Sequence, residues 1–444
     1  MPGETLPVQP DYAVRSKGVA LPLHSLLLVA ALAGAVVAQG GYYLPGRMLA
    51  TALVAAAVVV SLRHRPFSRA DAGPLLWACS GLALWAVARA AMDGAVGRAV
   101  PVVASVFCVI GAVFVAQRNN AAQRAQLASV AVGVGALVAG SSWIAVVWRI
   151  PAWTTVADGL VRAASTLTYP NAAAALLASL ALLAMTGPQS PSRLGATCLL
   201  LVGLGATLSR AGLLALAAGV VVLALLAGVR TIARNVVSPA VGALIAVGAL
   251  TPSFPVATSA RPMLAILGLV VGLVVAVGLP RLPAKAMAAV GGLVLAGAVV
   301  GIVLNANGLL SGRVTFSSPD RAGVTGAALD VVATRPLTGV GPGNAWFTWP
   351  APNGNAQVGH YVHNEYLQAL VELGAIGLGL VLCLLVAVFL IVRRGRGSST
   401  GAVAGLVVLV VHSGFDFLWH IPAILLTVGL LVGLAGPLNA KEKV

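Results

Sequence analysis

Apolar stretches long enough to cross a lipid bilayer recur from one end of this 444-residue chain to the other. We place about fourteen of them, centred near residues 29, 53, 81, 107, 136, 178, 201, 219, 244, 271, 294, 378, 409 and 429. They are rich in Gly and Ala, which let helices pack closely in lipid, and they do not alternate like transmembrane strands. With a mean hydropathy of +0.99, the sequence predicts an all-α fold, a polytopic membrane helix bundle of about 12–14 spans.

The basic residues support this arrangement of spans. With the N-terminus inside, seventeen of the 27 Lys and Arg residues fall in the predicted inner segments, as the positive-inside rule requires. The other ten are all arginine and fall in the outer segments: Arg47, Arg89, Arg98, Arg149, Arg162, Arg210, Arg261, Arg313, Arg321 and Arg335. Arginine binds phosphate and carboxylate in a bidentate manner, so this bias indicates anion binding. For Arg47, Arg89 and Arg98 we favour anchoring of helix ends.

Charge and cysteine usage exclude other classes of protein. The net charge of +16 is spread over short groups between apolar runs, so we expect no nucleic-acid partner. The four cysteines all lie within apolar runs and lack the spacing of a disulfide framework or a zinc site.

The chain divides into five segments. Residues 1–18 form a polar cytoplasmic tail that we expect to be disordered, and residues 439–444 form a second cytoplasmic tail. Transmembrane helices occupy residues 19–304 and 363–438. Between them, residues 305–362 form the one long outer segment, in which DRAGVTGAALDVVAT is the best candidate for a helix. This segment is too small for an independent domain, and we interpret it as a lid over a cavity in the bundle.

Polar residues crowd the start of the twelfth span, in VGHYVHNEYLQALVELG. On a helix, four of them form one stripe, namely Asn364, Glu365, Gln368 and Glu372. Ionisable groups at such depth usually face a cavity or a partner. His363, beside the stripe, is a candidate base, because an imidazole accepts a proton near neutral pH. The alternatives are a capping histidine bound to a backbone carbonyl, and a metal site with His360, for which no third ligand is apparent.

Four arginines are candidates for binding an anion. Arg210, in ATLSRAG, interrupts two apolar runs with almost no loop between them, so it needs an anionic partner at the outer surface. A ligand phosphate and an internal salt bridge both remain possible there. Arg313 and Arg321 lie near the start of the lid, which continues into GVGPGNAW, a predicted tight turn whose glycines allow close backbone approach. Arg261 is a further outer candidate.

Two more segments place polar residues at outer ends of spans. HSGFDFLWHIP carries Asp416 and His420, and Asp416 is suited to orienting a histidine or pairing with an arginine. TYPNAAAALLA opens the sixth span with Tyr169 and Asn171 facing outward. For these last two residues we favour a helix-start signal over a functional role.

Together, these motifs resemble the O-antigen ligase and polymerase family. The similarity rests on SRAG between two spans, an arginine-bearing lid leading to RPLTGVGPGNAW, then HNEYLQALVELGAIGL, HSGFDFLWHIP and YPNAAAALLA, mostly within residues 165–425. Members of this family are polytopic glycosyltransferases of the bacterial cytoplasmic (inner) membrane. They move glycan from an undecaprenyl-diphosphate carrier to an acceptor on the outer side, and the ligase branch uses neither metal nor nucleotide and inverts the anomeric centre.

The resemblance assigns roles to individual residues. His363 matches the family's lid-end histidine, the base for the acceptor hydroxyl, while Arg210 and Arg321 match arginines expected to hold the diphosphate. It also implies membrane lipids and an undecaprenyl-diphosphate-linked glycan donor as partners, no cofactor, and an active site facing outward. The acceptor is left open between a glycan, a glycolipid and a protein, corresponding to a polymerase, a ligase and a protein transferase.

Other functions remain as alternatives. A secondary transporter or lipid flippase usually has matched halves and charges near the membrane midplane, neither of which we find in the sequence. A purely structural membrane subunit does not explain why the outer basic residues are all arginine.

Overall fold

The computed structural model describes residues 19–67, 73–187, 190–304, 319–350, 355–395 and 399–438. These residues form fifteen α-helices and two small antiparallel sheets. The helices are α1 (Leu23–Val37), α2 (Leu44–His64), α3 (Pro74–Met92), α4 (Val100–Gln117), α5 (Ala121–Val147), α6 (Pro170–Met185), α7 (Pro191–Ala206), α8 (Arg210–Ala227), α9 (Val229–Leu250), α10 (Pro262–Gly278), α11 (Ala284–Leu304), α12 (Pro319–Thr334), α13 (Glu365–Gly395), α14 (Thr400–Ser413) and α15 (Pro422–Ala435). The strands are β1 (Thr154–Ala157), β2 (Leu160–Ala163), β3 (Phe347–Pro350) and β4 (Ala356–Gly359), paired β1–β2 and β3–β4. The predicted tails, residues 1–18 and 439–444, lie outside the described residues.

A helix covers each of the fourteen predicted span centres, so the predicted all-α bundle is confirmed. Within the described residues, eight helices are long and apolar enough to cross a membrane, and six further apolar helices are shorter. Glycines allow close helix packing. A Cβ atom on Gly111 of α4 would collide with Val54 of α2, and one on Gly242 of α9 would collide with the backbone of Gly272 in α10.

Helix α6 is the centre of the bundle, because all 16 of its residues are buried. It packs against α5, α7, α8 and α14. From Ala172 to Leu183 it contains only Ala, Leu and Ser, and a helix that is apolar on every side belongs in the interior. This packing holds the residues at its start, Tyr169 and Asn171, in a fixed place at one end of the bundle.

The loops predicted to be outer meet at that end, which we name the lid end (residues 38–43, 93–99, 148–169, 207–209, 251–261, 319–364 and 414–421). For example, the hydroxyls of Tyr42 and Tyr361 lie 2.9 Å apart. Predicted inner loops meet at the opposite end, where Arg124 donates to the carbonyl oxygen of Gly436 at 2.9 Å. The division of loops between two ends is therefore confirmed, and the outward orientation of the lid end stays a prediction.

The described part of the lid comprises α12 and the β3–β4 hairpin. The predicted helix in DRAGVTGAALDVVAT is confirmed as α12, and the hairpin pairs Phe347 with Gly359. Buried Val324 of α12, Phe347 of β3 and Val371 of α13 belong to one small apolar cluster. This cluster fixes the lid to the bundle. Residues 305–318 and 351–354 lie outside the described residues.

The GVGPGNAW turn packs into a kink of α13. Positive φ values occur at Gly339, Gly341 and Gly343 in the turn and at Gly374 in the kink. The N–H of Gly341 donates to the carbonyl oxygen of Glu372 at 2.8 Å. A Cβ atom on Gly339 would lie 2.5 Å from that same oxygen, so only glycine fits. The predicted tight turn with close backbone approach is confirmed.

Candidate active site

Asp416 is the centre of a polar cluster at the lid end. It lies in the turn between α14 and α15, and its side chain is fully buried. Its Oδ1 accepts hydrogen bonds from the Tyr169 hydroxyl and from the N–H of Phe417 at 2.9 Å, and it lies 2.9 Å from Nδ1 of His363. Its Oδ2 accepts from the side-chain amide of Asn171. We name Asp416, His363, Tyr169, Asn171 and Arg321 the Asp416 cluster.

The contact with Asp416 determines which nitrogen of His363 is available for chemistry. Because a carboxylate only accepts, Nδ1 carries the hydrogen of this bond, and the neutral imidazole then keeps its lone pair on Nε2. The side chain is 35% exposed, and its ring centroid lies 5.1 Å from that of Phe417. The capping alternative, with His363 bound to a backbone carbonyl, is therefore not what the structure contains.

Two arginines contact the polar side chains around Asp416. A guanidinium nitrogen of Arg321, in α12, lies 3.9 Å from Oδ2 of Asp416, and the Arg321 side chain is 41% exposed. Arg162, in β2, donates to the carbonyl oxygen of Thr207 at 3.0 Å and to Oδ1 of Asn171 at 3.2 Å. Arg321 is thus a lid arginine placed beside the carboxylate that binds the candidate base, while Arg313 lies outside the described residues.

Arg210 is connected to the cluster through its neighbour. The Ser209 hydroxyl donates to Oδ1 of Asn171 at 2.8 Å, and it also accepts from the N–H of Gly212 at 3.1 Å, which caps α8. Exposed Arg210 is the first residue of that helix. A contact chain therefore runs from the start of α8 through Ser209 and Asn171 to Asp416. The positive end of the helix dipole and the Arg210 guanidinium both favour an anion at this point.

Electrostatics keep Asp416 ionised. Burial by itself raises the pKa of its carboxyl, but the hydrogen bond and charge of His363, the hydroxyl of Tyr169 and the charge of Arg321 outweigh burial. The pKa of Asp416 consequently lies below its ordinary range. Burial and the Asp416 charge raise the pKa of the Tyr169 hydroxyl well above its ordinary value, so the phenol remains a donor.

A second group of polar side chains lines a cavity of about 620 Å³ beside the cluster. The group consists of Arg47, Arg98, His360, Glu365, Gln368, Glu372 and His420, so three members of the predicted polar stripe face this cavity. The rest of its lining is mainly apolar and comes from α4, α13, α14 and α15. Neither His363 nor Asp416 lines it, so the cavity and the Asp416 cluster are separate sites.

Buried carboxylates and partly buried cationic side chains meet at the polar end of this cavity. Glu365 is 2% exposed, accepts from the N–H of Trp419, and lies 3.4 Å from Nδ1 of His420, an ion-pair distance without hydrogen-bond geometry. The side-chain amide of Gln368 donates to Glu372 at 2.8 Å. Burial lowers the pKa of His420, but the two carboxylates outweigh burial, so its pKa lies above the ordinary value.

Aromatic rings separate the two sites. The ring of Phe417 stacks on Tyr169 with centroids 4.9 Å apart and on Tyr361 with centroids 4.4 Å apart. Tyr361 lines the cavity, and its centroid lies 4.7 Å from that of His420. The rings of Tyr361 and Phe417 therefore connect the cavity to the Asp416 cluster, and Phe417 also lies against the His363 ring.

The remaining predicted site residues have other surroundings. Oδ1 of Asn364 accepts from the N–H groups of the second and third residues after it, both at 3.1 Å, so this side chain caps α13. Arg261 is exposed before α10, which packs against α7 and α9, and within the described residues no contact joins it to the Asp416 cluster. Nδ1 of His360 lies 3.1 Å from the carbonyl oxygen of Ala345. In the described part of the chain, no group of three or more His, Cys, Asp or Glu residues is placed to hold a metal ion.

Of the three arginines interpreted as helix anchors, Arg47 and Arg89 donate to backbone carbonyls, including those of other segments, whereas Arg98 donates to the side-chain oxygen of Asn344. Arg89 is 1% exposed, pairs with Asp93 at 2.9 Å, and donates to the carbonyl oxygens of Thr338 and Gly339, both at 3.1 Å. It therefore anchors the lid turn. Arg47 similarly donates to the carbonyl oxygen of His420 at 3.1 Å.

Sequence reasoning counted Arg162 among the outer arginines and included Ser209 in the SRAG motif, but it did not predict that both residues contact Asn171. The signal for Arg162 was present in TTVADGLVRA, where an Asp-Gly pair between two short β-prone runs is typical of a tight hairpin. Asp158 and Gly159 indeed have positive φ values of 53° and 69°. The helix-start interpretation of Tyr169 and Asn171 is confirmed by α6, yet both side chains also bind Asp416.

Comparison with known proteins agrees with the motifs. The model of the O-antigen ligase family matches residues 253–382, a range that includes Arg321, His363 and the polar start of α13. The match covers less than a third of the chain and excludes Tyr169, Asn171 and Arg210. A search of curated proteins found no match. The resemblance predicted from the motifs is thereby confirmed, and the chain carries the O-antigen ligase family domain over residues 253–382.

Proposed function

We propose that this chain is a glycosyltransferase that moves glycan from an undecaprenyl-diphosphate carrier to an acceptor hydroxyl on the outer side of the bacterial cytoplasmic membrane. The family match supports a glycosyl-transferring enzyme that acts on lipid-linked glycans. The observation that carries the specific proposal is the hydrogen bond between His363 and buried Asp416, with Arg321 beside it. The cluster lies at one end of the bundle, whereas a secondary transporter usually places its charged residues near the membrane midplane.

His363 is the proposed base. With Nδ1 bound to Asp416, Nε2 is free to accept the proton of the acceptor hydroxyl as that oxygen attacks. The imidazolium that forms is stabilised by the Asp416 carboxylate. The partial exposure of the ring allows an acceptor to reach it.

Arg321 and Arg210 are proposed to hold the diphosphate. The acceptor oxygen forms a bond to the anomeric carbon, while the bond from that carbon to the diphosphate oxygen breaks and its electron pair leaves with the diphosphate. Guanidinium groups placed beforehand around that charge stabilise it better than water does. A single displacement of this kind inverts the anomeric centre, and it requires no metal.

One product is common to every possible acceptor, and its release tests the proposal. Purified protein in nanodiscs is incubated with an undecaprenyl-diphosphate-linked oligosaccharide and a membrane extract as the source of acceptors. We expect release of undecaprenyl diphosphate together with a new glycan product, and loss of both in His363→Gln. His64→Gln, an exposed histidine at the end of α2, is the matched control. A wild-type rate in His363→Gln would remove the proposed role of the imidazole.

A further inference from the structure

Asn171 makes a set of contacts that requires a side-chain amide. The side chain is buried at the start of α6, with 7% of its surface exposed. Its Nδ2 donates to Oδ2 of Asp416, while its Oδ1 accepts from the Ser209 hydroxyl at 2.8 Å and from Arg162 at 3.2 Å. Because a carboxylate only accepts and a guanidinium only donates, these partners fix the orientation of the amide. An aspartate here would meet Asp416 with a second acceptor, and a leucine would remove all three contacts.

Through Nδ2, Asn171 determines how the Asp416 carboxylate is turned. Oδ1 of that carboxylate lies 2.9 Å from Nδ1 of His363, and Oδ2 accepts from the amide. Among the described residues, the other group close to Oδ2 is the Arg321 guanidinium, which at 3.9 Å is beyond hydrogen-bond distance. The contact with Asn171 therefore limits rotation of the carboxylate and, with it, of the imidazole proposed as the base.

Through Oδ1, Asn171 also holds the segment beside the proposed diphosphate site. Ser209 caps α8, and Arg210 is the first residue of that helix. Arg162, which donates to Asn171, also donates to the carbonyl oxygen of Thr207 at 3.0 Å. Both contacts tie the turn before α8 to the start of α6. One buried amide thus joins the orientation of the proposed base to the position of an arginine proposed to hold the leaving diphosphate.

We propose that Asn171 is a positioning residue that aligns the base with the diphosphate site. It acts through Asp416 and Ser209, and it contacts neither substrate, because it is buried and its amide binds groups of the protein. This role rests on the proposed transferase function. In a single displacement the attacking and leaving oxygens lie on opposite sides of the anomeric carbon, so the groups that hold them must keep a fixed separation. A misplacement of about 1 Å can reduce the rate roughly 10²-fold.

Steady-state release of undecaprenyl diphosphate by the full-length protein in nanodiscs tests this role. Asn171→Asp keeps the size of the side chain and the acceptor for Ser209 and Arg162, but it places a second carboxylate against Asp416. Two carboxylates in contact do not both stay ionised, so the Asp416 carboxylate either gains a proton or turns away. We expect kcat to fall about 10- to 100-fold, with little change in KM for the lipid-linked donor.

Asn119 offers a matched control at the opposite end of the bundle. It is 1% exposed, accepts from the Ser25 hydroxyl at 2.8 Å and donates to the carbonyl oxygen of Val115 at 2.9 Å. Asn119→Asp and Asn119→Leu therefore disrupt buried hydrogen bonds of the same kind far from the Asp416 cluster. Both should lower Tm and keep the wild-type kcat, calculated per folded protein molecule.

The outcomes separate positioning from a purely structural role and from contact with the donor. A fall in kcat at constant donor KM in Asn171→Asp, absent from Asn119→Asp, supports positioning. A wild-type kcat in Asn171→Asp, or an equal fall in the two aspartate variants, would overturn it. So would a raised donor KM at wild-type kcat, because Asn171 would then act as a donor contact.

A second variant covers a folding failure. If Asn171→Asp does not fold, Asn171→Leu is compared with Asn119→Leu, and a fall in kcat in the first alone is the expected result. Equal kcat values for these two leucine variants would overturn the positioning role while the transferase function stands. If the wild type releases no undecaprenyl diphosphate, the transferase function fails, and the positioning role fails with it.

Discussion

His363 and Asp416 are 53 positions apart in the chain, and their side chains meet at 2.9 Å. The contact joins the segment between β4 and α13 to the turn between α14 and α15. His363 has a positive φ of 56°, a conformation that costs a non-glycine residue on the order of 1 kcal/mol. A hydrogen bond to a buried carboxylate offsets a cost of that size. The lid and the C-terminal helices therefore orient the imidazole before any substrate is present.

Replacing Asp416 by Asn should abolish most transfer without unfolding the protein. An amide has the same size, but it cannot stabilise the imidazolium or fix the tautomer of His363, so we expect a loss of about 10²- to 10⁴-fold. The initial rate of undecaprenyl diphosphate release measures this. Asp330→Asn, at an exposed position in α12, is the control and should keep the wild-type rate. Equal rates for the two variants would show that the carboxylate has no part in orienting the base.

Replacing Arg321 by Ala should weaken the use of the diphosphate donor. Loss of a charge-assisted, two-pronged contact in the transition state should reduce kcat/KM for the donor by about 10- to 100-fold. Arg321→Lys should recover only part of this, because an ammonium lacks the bidentate geometry. Arg335→Ala is the control, because Arg335 directly follows the same helix but pairs with a different carboxylate. Its guanidinium lies 3.7 Å from Oδ1 of Asp93, not near Asp416. If Arg335→Ala were as impaired as Arg321→Ala, the effect would reflect general charge at the lid.

The kink of α13 gives a test of how the lid is held. Gly374 has φ 68° and ψ −171°, and a Cβ atom there would collide with the backbone of Leu337. We expect Gly374→Ala to reduce the free energy of unfolding by about 2–4 kcal/mol and to lower Tm in detergent. Gly379→Ala, in the same helix with no atom within 4 Å of an added Cβ, should leave Tm unchanged or slightly higher. Matching Tm values for these two variants would contradict the packing described here.

The helix bundle could be predicted from the sequence because a lipid bilayer permits only a few kinds of backbone structure. A backbone in a bilayer must form helices, and the arginines and lysines between the apolar runs indicate which loops share an end. Local signals also located α12 and the glycine turn before α13. These features depend on residues close together in the chain, which is where sequence patterns carry most of their information.

The sequence predicted that Asp416 orients a histidine or pairs with an arginine, and both contacts are present, but its other partners could not be predicted in the same way. Its partners Tyr169 and Asn171 are 247 and 245 residues away, and nothing in their local sequence specifies which helix end they will meet. The sequence around Tyr169 and Asn171 indicated a helix start, which is correct. That local signal does not indicate that both side chains also bind Asp416. The cavity could not be predicted either. The polar stripe of α13 indicates that a cavity or a partner faces it, but it does not identify the other helices that line that cavity.

The ion pair between His420 and Glu365 should make thermal stability depend on pH. Burial lowers the pKa of His420, but the carboxylates of Glu365 and Glu372 outweigh both burial and the charge of Arg47, so the pKa in the folded state lies above its ordinary value of 6.5. A raised pKa means that the stabilisation is fully present below pH 6.5 and is lost as the pH rises through the folded-state pKa. We therefore expect Tm to fall between about pH 6 and pH 9 in the wild type and to fall less in His420→Gln. Differential scanning fluorimetry across this range measures both slopes, and an unchanged slope in His420→Gln would assign the pH dependence to other groups.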